Sequence, residues 1–490
     1  MKPQLVKALV AVAGLAALAL PIQLVAQYPH YKLIDLGTFG GPGSFYASAP
    51  VVQSANNRGV VVGGAETSKT DPLAPNCSII SSNCQIVHAF EWRDGVRTDL
   101  GTLPGGNNSI AYWVSDSGLV FGNSDDGGVD AVTGLQDFEG VVWKNGQILN
   151  MGTLGVNFVG PNAMNDRRQV VGIALNAIPD QFSFIGLGTQ TRAFLWQGGV
   201  MLDLGTLGGP DGWASSINEE GVITGWALVN STPNPVTGQP TQHPFLWRDG
   251  TMVDLGTLGG TLAVVGSPNN GGSGGAINNR GQVVGTSNLS GDLIHHAFLW
   301  DRGELIDLNT LGGDNSEGWW INDSGQIVGR ADLPGSQIHH AFLWQDGKMF
   351  DLGSSPDWPC STAIDVSSRG QVIIDTGVCG VVGGPGLLWD HGKLYDLNAL
   401  VSPNSGLAIG DVNFINDRGE IAATGVLPNG DQHAVLLVPA SREEIASANA
   451  LAVSGPASPR VETFTKDPEN SLSSSRNRLL KMLRQTPRVP

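Results

Sequence analysis

The sequence predicts an all-β protein, most simply a β-propeller of eight four-stranded blades. Three observations carry this. Gly contributes 68 and Pro 28 of 490 residues, which leaves little room for long helices. A phrase, Ala-Phe-Leu-Trp, recurs every 44 to 53 residues, its Trp falling at Trp92, Trp143, Trp196, Trp247, Trp300, Trp344 and Trp389, with a weaker copy at Ala434–Leu437. Two further phrases recur eight times in fixed order around it.

The first of these, Asp-Leu-Gly-Thr-Leu-Gly-Gly, is complete at Asp203–Gly209 and Asp254–Gly260. It begins at Asp35, Asp99, Asn150, Asp203, Asp254, Asp307, Asp351 and Asp396. The second, Ile-Asn-x-x-Gly, has its Asn position at Asn56, Ser115, Asn165, Asn218, Asn278, Asn322, Ser367 and Asn416. Each unit therefore reads as four short strands. Strand a is Ala-Phe-Leu-Trp. An Asp-Gly turn, as at Asp346–Gly347, leads to strand b, which ends at Asp-Leu. Strand c ends at Ile-Asn, and the Asn-x-x-Gly turn leads to strand d. Four strands in about fifty residues is the signature of a propeller blade.

The first unit, from Tyr31, has b, c and d without a, and the last, from His433, has a alone. A C-terminal strand a completing the N-terminal blade would close the ring and remove the open sheet edge. Seven blades with one decorating unit is the alternative, and an open β-solenoid comes third.

Residues 1–26 read as a signal peptide: Lys2 and Lys7, an apolar stretch from Ala8 to Pro21, and a small-residue cleavage site at Ala26. No second apolar segment follows, so the mature chain is expected to have no transmembrane span. The propeller takes residues 27–440. Residues 441–490 read as a short helix from Ser441 followed by a Pro- and Ser-rich, then basic, disordered tail. Four cysteines in an exported chain allow two disulfides. Cys77 with Cys84 closes a short loop. Cys360 and Cys379 flank the turn Ser367–Gly370 almost equally, which places them opposite each other in a c–d hairpin.

The formal net charge is -17, with 44 acidic against 27 basic side chains. A chain this poor in clustered cations is not a nucleic-acid binder. His-Ala-Phe recurs at His88–Phe90, His296–Phe298 and His340–Phe342. In these phrases, and in their linked order from Tyr31 to Pro439, the chain resembles the bacterial extracellular HAF-repeat family. The resemblance implies secretion and a repeat architecture, and implies no activity.

In an up-and-down blade the a–b and c–d turns share one face. The d–a and b–c connections share the other. The former are short and repetitive, and their Gly and Asn have turn-forming work to do. The latter are irregular, with long d–a stretches at 65–87, 125–139, 175–192 and 228–242, and a Gly-rich b–c stretch at 261–275. A ligand site is expected on that face, near the central channel. Asp125–Asp130 there is acidic, and Phe182 and Phe184 lie in one d–a stretch.

Five histidines open strand a: His88, His243, His296, His340 and His433. A ring of imidazoles at the channel mouth could bind a divalent metal or act in acid–base chemistry. The structural reading is stronger. The first four stand 11 residues before Asp99, Asp254, Asp307 and Asp351, and His433 would meet Asp35 across the closure. Arg192 precedes Asp203, and Glu139 precedes Asn150, by the same 11 residues. A polar pair is thus repeated inside each blade. His295 and His339 read as exposed loop residues. Gly271–Gly275 matches G-x-S-x-G without the strand-to-helix setting of a nucleophile elbow. The Asn-x-x-Gly turns lack the carboxylate spacing of calcium loops, and no metal or cofactor is assigned. The expected function is binding of an extracellular ligand, glycan or protein, without catalysis. The alternatives are a secreted polysaccharide hydrolase or lyase at the channel mouth, and a plain surface or matrix protein.

Overall fold

The computed structural model of the protein describes residues 30–441, apart from 48–52, 76, 78–79, 81–82, 135, 182, 267–274 and 403–404. The expected signal peptide, Phe182, most of the G-x-S-x-G match and the tail beyond Ser441 lie outside the described residues.

The chain is a β-propeller. Among the described residues its strands group into eight antiparallel units, each ordered c-d-a-b across the sheet, and the seventh carries an extra short strand at Val381–Val382. In the sixth unit these are Ser316–Ile321, Ile327–Asp332, His339–Gln345 and Lys348–Gly353. The fourth and fifth units are joined into one larger sheet by a parallel pairing of Gln242 with Leu262. The Gly-rich stretch at 261–275 is therefore not all loop, because strand c of the fifth unit runs Gly259–Val265.

Closure differs from expectation in phase. Strand a at Gln432–Pro439 does pair with strand b at Tyr31–Asp35, with Leu33 opposite Leu437. The same sheet is completed by c and d of the last unit, Ala408–Ile415 and Ile421–Val426. The N-terminal strand thus finishes the C-terminal blade. A sequence repeat has a period but no absolute phase, and the boundary between blades falls at the b–c connection, not at d–a.

Local sequence explains the units. Strand a buries its Phe completely at Phe90, Phe194, Phe245, Phe298 and Phe342. The Gly before it in space, on strand d, is required by close approach: a Cβ at Gly329 would lie 1.9 Å from the Glu317 carbonyl oxygen and 3.1 Å from the Phe342 ring. Strand c bulges at that point, between Gly318 and Trp320. The a–b turn places Asp346 and Gly347 at φ of 51° and 78°, as a two-residue hairpin turn demands.

The Asn of Ile-Asn-x-x-Gly does more than form its turn. Asn322 Oδ1 accepts the N–H groups of Ser324 and Gln326, each at 3.0 Å. Its Nδ2 donates to the Ser367 carbonyl of the next unit, also at 3.0 Å. The link repeats from Asn56 to Ser115, Asn165 to Asn218, Asn218 to Asn278 and Asn278 to Asn322. Asn416 donates to the Asn56 carbonyl at 3.0 Å, which ties the last c–d turn to the first. The four cysteines pair as expected, Cys77 with Cys84 and Cys360 with Cys379. No helix among the described residues is long and apolar enough to cross a membrane.

Candidate functional site

The five predicted His–Asp pairs all form. His88 Nδ1 lies 2.7 Å from Asp99, His243 2.8 Å from Asp254, His296 2.9 Å from Asp307, His340 2.8 Å from Asp351 and His433 2.9 Å from Asp35. Arg192 Nε takes the same place 3.0 Å from Asp203. Phe90, not His88, is the backbone partner of Asp99, so His and Asp meet as diagonal neighbours on one sheet face. Each Asp also accepts the N–H two residues on, as from Gly256 to Asp254 at 2.8 Å and Gly353 to Asp351 at 2.7 Å. Both partners are thereby committed to holding the a–b hairpin and the chain that leaves it.

These pairs do not form a ring at the channel mouth. Strands a and b are third and fourth in every unit, and strand c is the one that lines the axis. Strand a would reach the axis only if it came first in its blade, and strand c holds that place instead. His295 and His339 are also not loose loop residues. They begin strand a and are half-buried. His295 Nε2 lies 3.5 Å from Glu317, a buried carboxylate that also takes Arg330 at 2.6 Å and the Trp319 indole N–H at 3.1 Å. Burial pushes the Glu317 carboxyl up, but hydrogen bonds from His295 and the Arg330 charge overcome it and hold it at about 2.

The axis itself carries a cavity of about 250 Å³, at the end where the Asn-x-x-Gly turns lie. All eight units contribute to its wall. Glu219, Asp323 and Asp417 line it beside Asn57, Asn279 and Ser368, the residues that follow the turn Asn or Ser. These polar groups are partly spent on one another. The N–H of Asn279 donates to Asp323 Oδ1 at 2.8 Å, and that of Asp417 to Asn57 Oδ1 at 3.0 Å. Deeper, Trp113, Trp320 and Phe414 supply an apolar floor. Trp320 meets Phe414 edge-on at 6.1 Å between centroids, and a Cβ on Gly275 would come within 2.0 Å of its indole. Among these walls stands Asp365, buried, accepting the Ile415 N–H at 3.0 Å. Burial pushes its carboxyl up to about 7.

The opposite face is that of the d–a connections. Six units each expose a large apolar side chain there, Leu73, Val129, Phe184, Val236, Leu293 and Ile338, and the seventh exposes Val378 at the end of its strand d. Leu293 is 84% exposed. Phe184 is pinned at its base, 4.5 Å from the Trp226 ring centroid, with its N–H on Asp211 at 2.9 Å. Several d–a stretches are not wholly loop, since strand d runs out to Thr70, Pro179 and Pro233.

No repeated phrase in the sequence marks the axial cavity. Where the position two before the turn Asn or Ser reaches its wall, the residue varies freely: Trp113, Trp320, Asp365 and Phe414. The one available signal was Asp365, a carboxylate in an otherwise apolar strand c.

No protein-family profile and no curated protein matches the chain. Among solved structures it is similar to Porphyromonas gingivalis dipeptidyl peptidase 4, at TM-score 0.47 and 9% identity over 84% of this chain and 61% of that one. It is also similar to the β-propeller domain of the Trilobed protease from Pyrococcus furiosus, at TM-score 0.40, 9% identity, and 72% and 97% coverage. Pyrococcus horikoshii acylaminoacyl peptidase gives TM-score 0.39 and 11% identity over 77% of this chain, which spans only 57% of that protein. These likenesses are of fold alone.

Proposed function

We propose that the chain is a secreted member of the HAF-repeat family that binds an extracellular partner through its d–a and b–c face and performs no catalysis of its own. The observation that carries the reading is the apolar side chain exposed at the same connection in six successive units. Scattered apolar residues on a surface need no explanation, but repetition at one end of a rigid ring presents them together. Apolar tips favour a protein or peptide surface over a sugar. The two disulfides suit an oxidising compartment.

The test is binding of the mature protein to peptide and oligosaccharide arrays, beside a variant carrying Val236→Ser, Leu293→Ser and Ile338→Ser. Peptide binding lost in the variant supports the reading. Equal binding by both proteins overturns it.

A second reading has one observation in its favour. Asp365 is a carboxyl held near neutrality at the wall of the axial cavity, the property required of a general acid. A polysaccharide hydrolase or lyase working there would release new chain ends, and Asp365→Asn would abolish that release.

A further inference from the structure

The d–a connection of the second unit, between Ser124 and Glu139, holds a group of carboxylates that make no ion pair among the described residues. It folds as a small hairpin of its own, with Val129 bridged to Gln136 and the Asp137 N–H on the Gly128 carbonyl at 3.1 Å. Oxygens of Asp126, Asp137 and Glu139 lie within 4.8 Å of one another. Asp137 and Glu139 are 5% and 3% exposed. Among the described residues, Asp137 Oδ1 and Glu139 Oε2 are buried without any hydrogen-bond partner. A buried, unpaired carboxylate oxygen is costly, and two facing a third carboxylate are costlier still.

The surroundings hold this arrangement in place. Gly128 donates its N–H to Asp126 Oδ1 at 2.8 Å. Asn157 Nδ2 donates to Asp137 Oδ2 at 3.1 Å. A Cβ on Gly128 would stand 2.4 Å from Asp137 Oδ2 and 2.9 Å from Asp126 Oδ1, so only glycine leaves room for both carboxylates. The nearby Asp125 and Asp130 are different. Asp125 accepts from Asn107, Asn108 and Gln136, and Asp130 from Val132, Thr133 and Asn157. Those two are spent on backbone and side-chain donors around them, while the other three point spare oxygens at one place.

We propose that Asp126, Asp137 and Glu139 form a binding site for a divalent cation, and specifically for Ca²⁺. The donor set is oxygen alone, which selects a hard cation over zinc or copper. Ca²⁺ tolerates irregular geometry and completes its shell with water, whereas Mg²⁺ demands a near-ideal octahedron. Burial and the neighbouring carboxylates push both Asp137 and Glu139 up, the strain that a bound cation would remove. The donors come from a loop, its return limb and the first residue of strand a, so no linear calcium-loop spacing announces them. The bound ion would fix the d–a connection that exposes Val129. The site stands whether or not that face binds a partner.

The test uses the mature full chain stripped with a chelator and titrated calorimetrically with calcium chloride, with melting followed in parallel. Uptake of one Ca²⁺ per chain and a rise in melting temperature are expected. The Asp137→Asn, Glu139→Gln double variant should lose both responses. Its calcium-free melting temperature should not fall below that of the stripped parent, because it removes unanswered buried charge. Gly128→Ala, which keeps all three carboxylates, should weaken uptake about tenfold or more through misplaced ligands. No heat and no shift in the parent, or a shift retained in the double variant, would overturn the proposal. So would a response to magnesium chloride that matches or exceeds the response to calcium.

Discussion

His433 Nδ1 lies 2.9 Å from Asp35 Oδ1 although 398 residues separate them. The same contact is made elsewhere by residues 11 apart, as between His88 and Asp99. A local repeat contact and a contact spanning nearly the whole ring are therefore one device. The last strand a can be recognised by the first strand b because each carries half of it.

This pair sets a pH dependence. The hydrogen bond to Asp35 raises the pKa of His433 above its ordinary 6.5, against burial. Its stabilisation is fully present below about 6.5 and is lost as pH rises through the raised folded value. At Asp35, burial pushes the carboxyl up, but hydrogen bonds from His433 and Gly37 outweigh it and the net direction is down. That contribution is present above about 3.9 and is lost as pH falls through the lowered folded value. His433→Asn should cost about 1 kcal/mol at pH 6 and less at pH 8. Denaturant midpoints at the two pH values measure it, and an equal cost at both would contradict the argument.

The asparagine circuit should matter more than any one His–Asp pair. Asn278 is buried, accepts from Arg280 and Gln282, and donates to Gln282 and to the Asn322 carbonyl of the next unit. Asn278→Ala leaves several buried partners unanswered and should cost about 2 to 3 kcal/mol in urea unfolding. Asn279→Ala, at an exposed position, should cost under about 1 kcal/mol.

Loop-closure entropy ranks the disulfides. Cys360 and Cys379 are 19 residues apart, Cys77 and Cys84 only 7. Replacing the first pair by Ser should cost about 3 kcal/mol, and replacing the second about 1 kcal/mol less. Thermal unfolding of the two double variants checks the order.

Asp365 should behave in the opposite sense to Asp35, because burial raises its carboxyl where hydrogen bonds lower that of Asp35. Burial holds its carboxyl at about 7 in the folded protein. Stability is therefore greatest below the ordinary carboxylate range and is drained as pH rises from about 4 to 7. Asp365→Asn can still accept the Ile415 N–H and cannot ionise. It should stabilise the protein at pH 8 by on the order of 2 to 4 kcal/mol relative to its effect at pH 4. Unfolding curves at both pH values decide this.

Much of the fold was legible because each unit repeats three phrases whose roles are local. Ala-Phe-Leu-Trp is a buried strand, Asp-Gly an a–b turn, and Asn-x-x-Gly a c–d turn. The spacing of 11 residues marks the His–Asp pairs in the sequence itself. What the spacing could not show is where a blade starts, and that error moved the His–Asp pairs inward to the channel. The axial wall mixes repeated residues of the c–d turns, such as Asn322, with strand c positions that do not repeat, such as Trp320 and Asp365. The Asp126, Asp137 and Glu139 group was equally hidden, because its donors converge only after the d–a stretch folds back on itself.

The central claim is a ring in which the N-terminal strand completes the C-terminal blade. Lys32 and Val438 are register partners in that sheet, and all four native cysteines are already paired. Spin labels on Lys32→Cys and Val438→Cys therefore report the closure alone. Neighbouring strands lie about 4.8 Å apart, so strong dipolar broadening is expected in the folded protein, lost on unfolding. A folded protein whose two labels give unbroadened spectra would contradict the closed ring.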